Sequence, residues 1–139
     1  MNVRRGVMAA ALLIAGALGG TTAGAHHSIS AVYDSRTQLT LTGSVREFQF
    51  VNPHPWIGLD VPADGGRVQR WRLELDNRWE LVDVGMHADT FKAGDAIVAR
   101  GSAGRDGARG IYVLRLDRPA DGLHYEQVGQ SPALRFASR

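Results

Sequence analysis

The chain has 139 residues with 16 Lys and Arg against 14 Asp and Glu, and it has no cysteine. The missing cysteines exclude disulfides, thiolate catalysis and every cysteine-based metal site. The basic excess includes Arg4 and Arg5 at the chain start; without them 16 basic residues become 14 against 14 acidic ones, a balance that favours neither nucleic acid nor an acidic membrane surface.

The first 25 residues read as a secretory signal peptide. Arg4 and Arg5 form a positive start, Val7 to Leu18 an apolar run, and Ala23-Gly24-Ala25 a small-residue cleavage site. The apolar run is shorter than the ~20 residues a spanning helix needs, so no stable membrane span is expected after cleavage. Cleavage after Ala25 would make His26 the new N-terminus and place the protein in the periplasm. The remaining 114 residues (139 less 25) suit one domain.

Residues 38–51 alternate, with Leu39, Leu41 and Val45 on one parity and Phe48 and Phe50 on the other. The switch near Arg46-Glu47 predicts one long strand bent by Gly43 and a bulge. Pro55 to Val61 predicts a second strand with Ile57, Leu59 and Val61 inward, and Pro62 to Gly66 a turn. Arg67 to Leu75 alternates again, with Trp71, Leu73 and Leu75 inward. The period then changes. Asn77, three residues before Glu80, can cap a short helix that closes at Gly85, with Trp79, Val82 and Met86 at helical spacing and Trp79 on the buried face. A turn over Phe91 to Asp95 leads to a fourth strand at Ala96 to Arg100, Gly101 to Gly110 is read as a polar hairpin loop, and Ile111 to Leu116 is a fifth strand. Residues 123–139 read as a loosely ordered tail.

Three strands, a short helix and two strands predict an all-β domain over 26–122, a five-stranded OB-like Greek-key barrel with one helix between strands 3 and 4. An open antiparallel sheet with a helix on one face is the alternative.

The pieces Ala25-His26-His27-Ser28, LTGSV, Asn52-Pro53-His54-Pro55-Trp56-Ile57, FKAGD and RDG resemble a bacterial family of small exported proteins of unknown function, DUF6152. The resemblance runs from about Ala25 to Gly122. It implies no activity, because the family has no established one. The chain departs from the pattern near Gly85-Met86-His87, where an aromatic residue is expected after the glycine.

The histidines carry the chemistry. Pro53 and Pro55 hold His54 on a stiff backbone, which suits a metal ligand. His26 and His27 would open the processed chain. An N-terminal histidine chelates through its amine and ring, and a second histidine in space completes a set of nitrogens suited to copper(II). If cleavage falls one residue earlier, His27 stands third, where amine, backbone amides and ring bind copper(II) or nickel(II). The metal-site candidates are therefore His26, His27 and His54, with the cofactor unknown and copper or another divalent metal as candidates. The other reading makes His26 and His27 solvated residues on a frayed end and His54 a structural residue bonded to a neighbouring strand. Trp56, outward on strand two, and Asn52 are candidates for contact with a small molecule, glycan or protein strand in the barrel groove. Asp34 is expected to cap the turn that follows it. Glu74 and Asp76 could mimic a carboxylate pair and are read as solvent-facing charges. His87 and His124 are read as isolated in loops. No nucleophile–His–acid order is present, so a monomeric binding module is expected rather than an enzyme, with a metal ion or small ligand as partner and no nucleic acid.

Overall fold

The computed structural model describes residues 28–129 and 131–137. A single helical turn, α1 (Ile29–Val32), precedes β1 (Tyr33–Gln49), β2 (Trp56–Ala63) and β3 (Arg67–Glu74). Then come α2 (Arg78–Asp83), β4 (Ala96–Gly104), β5 (Gly110–Arg118), β6 (Leu123–Val128) and β7 (Ser131–Arg135). The ladder order is β3-β2-β1-β4-β5-β6-β7, and β3 also pairs with β5. That parallel contact, Leu73 against Ile111, closes β1 to β5 into a barrel. The circuit β1-β2-β3-β5-β4, with α2 between β3 and β4, is the OB-fold topology.

The register of β1 follows its sequence. The pairing with β2 shifts between Val45 and Glu47, where the apolar parity changes, so Val45 is buried and Phe48 also packs against the core. Gly43 is required because a Cβ there would collide with the Asp60 carbonyl oxygen on β2. Ile57, Leu59, Leu73, Ile111 and Leu116 have no exposed surface, and they fill the barrel with alternate residues of each strand. Trp71 is half-buried against them, as its parity predicts.

Helix α2 starts and stops on the expected residues. The Asn77 side chain accepts from the Trp79 N–H at 2.9 Å. At the other end Gly85, with φ +90°, donates to the Val82 carbonyl at 3.0 Å while Met86 donates to Leu81 at 2.8 Å. That is the Schellman pair of bonds, which needs a left-handed residue at this point. The buried face differs from the expectation. Leu81 and Met86 are fully buried, whereas Trp79 is 66% and Val82 38% exposed. In a six-residue helix two apolar stripes compete, and the one continuing into Met86 after the turn enters the core.

Two further expectations are corrected. Gly101 to Gly110 is not one loop. β4 continues through Gly104 with a bulge between Arg100 and Gly101, leaving a turn at 105–109. Residues 123–139 are not simply a loose tail either. β6 pairs with β5 and β7 with β6, because Leu123 and Tyr125 are 1% and 0% exposed and need the core to cover them. Arg118, at the end of β5, ties this hairpin to the β4 entry through Asp95 and Asp121. No helix among the described residues is long and apolar enough to cross a membrane. The leader over 1–25 and the histidines at 26 and 27 lie outside the described residues.

Candidate functional site

A cleft of about 780 Å³ opens where α1, the β1–β2 loop, α2, β5 and the β6–β7 turn meet. Ile29, Asn52, Pro53, His54, Asp76, Asn77, Trp79, Glu80, Tyr112, Leu114, Gln127 and Gly129 line it. Among the described residues the cleft carries two carboxyl groups and one imidazole, and neither Lys nor Arg lines it.

His54 is held from both sides of its backbone. The Pro53 carbonyl accepts from the Arg78 N–H at 3.0 Å, and the Pro55 carbonyl accepts from the Leu75 N–H at 2.9 Å. The ring closes the clamp, with Nδ1 3.1 Å from the Leu75 carbonyl oxygen. A carbonyl only accepts, so Nδ1 carries the proton in this bond and the neutral ring keeps its lone pair on Nε2. The bond to a neighbouring strand end expected of a structural histidine is therefore present. The same bond is the one that orients ligating histidines in metal sites.

Asp76 is not a solvent-facing charge. It is 8% exposed. Its Oδ1 accepts from the Asn77 N–H at 2.7 Å and its Oδ2 from the Gln127 amide at 2.6 Å. Glu74, its expected partner, instead accepts from the Tyr33 hydroxyl at 2.7 Å. Glu80 on α2 lines the same cleft as Asp76. Desolvation in the cleft, followed by the charge and hydrogen bond of Asp76, raises the Glu80 carboxyl above its usual range, with His54 pulling weakly the other way. The Tyr112 hydroxyl is pushed well above its ordinary range by burial first and by Asp76 next.

Of the residues singled out in the sequence, Asn52 and His54 meet in this cleft. Trp56 does not. It lies half-buried on the outer face of β2, and the Arg72 guanidinium sits 4.1 Å from its ring centre. Asp34 accepts from the Arg36 N–H at 3.2 Å in the turn after it. His124 is on β6 rather than in a loop, with Nδ1 2.6 Å from Asp117, and His87 is exposed. Glu80, Tyr112, Gln127 and Trp79 were missed. Two aromatic residues line the cleft, the half-buried Tyr112 and the exposed Trp79. Because Trp79 is 66% exposed, Trp79→Ala is expected to change stability by less than about 0.5 kcal/mol. Equal urea midpoints for variant and parent would bear this out, and a large drop would mean that the rim is packed.

Among the described residues no three His, Asp or Glu side chains are arranged to hold a metal ion. The cleft offers a fixed imidazole lone pair and an adjacent carboxyl pair, and further donors would have to come from elsewhere. Ile29, two residues after His27 in the sequence, also lines it.

The pattern of a family of unknown function, DUF6152, matches residues 14–112. None of the curated proteins matches the chain. Among solved structures, the small single-stranded DNA-binding protein of Streptomyces coelicolor is similar at 11% identity and a TM-score of 0.38, covering 62% of this chain and 96% of that one.

Proposed function

The chain belongs to DUF6152, a family of unknown function, and from that premise we propose that it is a small exported binding module holding copper(II) or a similar divalent metal in the cleft beside α2. The observation that carries this reading is that Ile29 and His54 line the same cleft. In the sequence His27 stands two residues and His26 three residues before Ile29.

The chemistry then follows from processing. Cleavage after Ala25 supplies the His26 amine and ring. Cleavage one residue earlier supplies His27 in third position. In either case His54 Nε2 adds a nitrogen already oriented by Leu75, and Glu80 offers an oxygen. Copper(II) favours such nitrogen-rich tetragonal sets. The signal-like leader supports a periplasmic location.

One observation favours a second reading. The cleft exceeds what a lone ion needs, and its volume lies in the ~300–1,000 Å³ range of small-molecule sites. Asn52 and Trp79 would then contact an organic ligand with no dependence on metal.

The test is intact mass of the protein from the periplasm, followed by copper(II) titration of that sample with EPR. A mass starting at His26 or Ala25 and one tight site with nitrogen hyperfine structure are expected. His54→Ala should weaken copper binding at least ~10-fold while leaving the circular dichroism spectrum intact, since the lost Leu75 bond stabilises by only about 1 kcal/mol. Unchanged affinity in His54→Ala would rule out the shared site.

A further inference from the structure

The cleft beside α2 carries negative charge that its described residues leave without a counter-charge. Asp76 lines it and is 8% exposed. Both donors that hold this carboxylate, the Asn77 N–H and the Gln127 amide, are uncharged. Among the described residues no ion pair includes Asp76 or Glu80, and neither Lys nor Arg lines the cleft. Arg78 precedes Trp79 in the sequence, but it is held elsewhere. Its Nε donates to the Phe50 carbonyl at 3.2 Å, and its guanidinium lies 4.9 Å from the Phe50 ring centre and 5.8 Å from that of Trp79. We infer that the cleft takes a small organic cation, a primary ammonium group on an apolar body. The inference rests on the second reading above, of the cleft as a small-molecule site, and requires no metal.

A buried carboxylate is costly without an opposite charge. Each Asp76 oxygen also keeps a second lone pair beyond the bond it already accepts. The Nδ1 of His54 is taken up by the Leu75 carbonyl, which leaves Nε2 as an acceptor. The two carboxylates and the imidazole therefore call for a ligand that donates. An ammonium group brings several N–H donors together with a full positive charge. A quaternary ammonium would balance the charge and leave those lone pairs unmet, and an anion would be repelled. The rest of the lining suits the body of such a ligand. Trp79 is largely exposed, so its electron-rich face is open to a cation. Tyr112 is half-buried, its ring centre 6.0 Å from that of Tyr33, and Ile29 and Leu114 offer apolar contact. The cleft volume of about 780 Å³ accommodates a carbon body as well as the charged group.

The experiment uses three probes of one shape and different charge: phenethylamine, protonated at neutral pH, uncharged phenethyl alcohol, and the anion phenylpropionate. Each is titrated into the protein from the periplasm, with a chelator present to remove metal. Heteronuclear NMR follows the Trp79 indole and the Gln127 side-chain amide. The amine is expected to shift both signals with an affinity at least about tenfold above that of the alcohol, the effect of one charge-assisted hydrogen bond. The anion is expected to shift neither. Asp76→Asn and Glu80→Gln should each weaken the amine about three- to tenfold, and Trp79→Ala about threefold, with circular dichroism unchanged. Glu80→Gln carries the test if Asp76→Asn does not fold. Binding of the alcohol or the anion in the cleft as tightly as the amine would overturn the cation and leave the small-molecule reading standing. Undiminished amine affinity in the folded carboxylate variants would overturn it as well. No shift with any of the three probes would overturn both.

Discussion

Replacing Gly101 with alanine is expected to destabilise the barrel by about 3 kcal/mol, at the upper end of the cost of overpacking. Gly101 is buried in β4, immediately after the bulge at Arg100, and pairs with Leu39 on one side and Val113 on the other. A Cβ at this position would fall on the carbonyl oxygen of Tyr112 and lie 3.0 Å from the Val113 Cα. These are backbone atoms of β5, so no flexible side chain can yield. Gly66→Ala is the control. Its φ is +71° but nothing lies within 4 Å of the added carbon, so the cost there is confined to the left-handed backbone, about 1–2 kcal/mol. Urea unfolding of both variants measures the contrast. A Gly101→Ala midpoint equal to or above that of Gly66→Ala would show that β4 and β5 can separate without cost.

The second large effect is expected at Arg118, whose side chain is 12% exposed. Its Nη1 donates to the Thr90 carbonyl at 2.5 Å and to Asp95 at 2.6 Å. Nε and Nη2 fork onto the two oxygens of Asp121 at 3.0 and 2.8 Å, and the guanidinium lies 5.3 Å from the centre of the Phe91 ring. Arg118→Met retains much of the aliphatic stem and strands three acceptors, at a cost of about 3 kcal/mol. The effect depends on pH with a definite sign. The bonds from Arg118, more than any other cause, hold the Asp121 carboxyl below its usual range. A lowered folded-state value means that the stabilisation is complete above the unfolded carboxylate value of about 3.9 and is lost as pH falls through the lower folded value. The stability gap between parent and Arg118→Met should therefore hold steady from neutral pH to about 4 and narrow below it. A gap that stayed constant through pH 2 would mean that Asp121 contributes nothing to it.

Much of the barrel was legible because its strands bury one face. The parity switch in β1 marked the bulge, and Asn77 and Gly85 marked the ends of α2, since each rests on local chemistry visible within a few residues. The stiff placement of His54 was legible for the same reason. What escaped reading depended on contacts distant in sequence. The face of α2 could not be chosen between Trp79 and Leu81 until the barrel mouth was there to receive one of them. Asp76 looked solvent-facing because its partner Gln127 belongs to a hairpin whose strands, LHYEQV and SPALR, are short, carry charges and include a proline. Without that hairpin the cleft has no far wall, so Glu80, Tyr112 and Gln127 gave no sign that they share a site.

The parallel junction of β3 with β5 also governs how the chain reaches its native state. β1, β2 and β3 can meander together through neighbouring hairpins, but β1 must wait for β4, and β3 for β5, before either outer ladder forms. Ring closure thus joins segments distant along the chain after most of the chain entropy has already been surrendered. Topologies of this kind cross their rate-limiting barrier in roughly milliseconds to seconds rather than microseconds. Until that step the outer side of β3 and the facing start of β5 stand as open strand margins, and the nascent molecule is most prone to pairing with another chain in that interval.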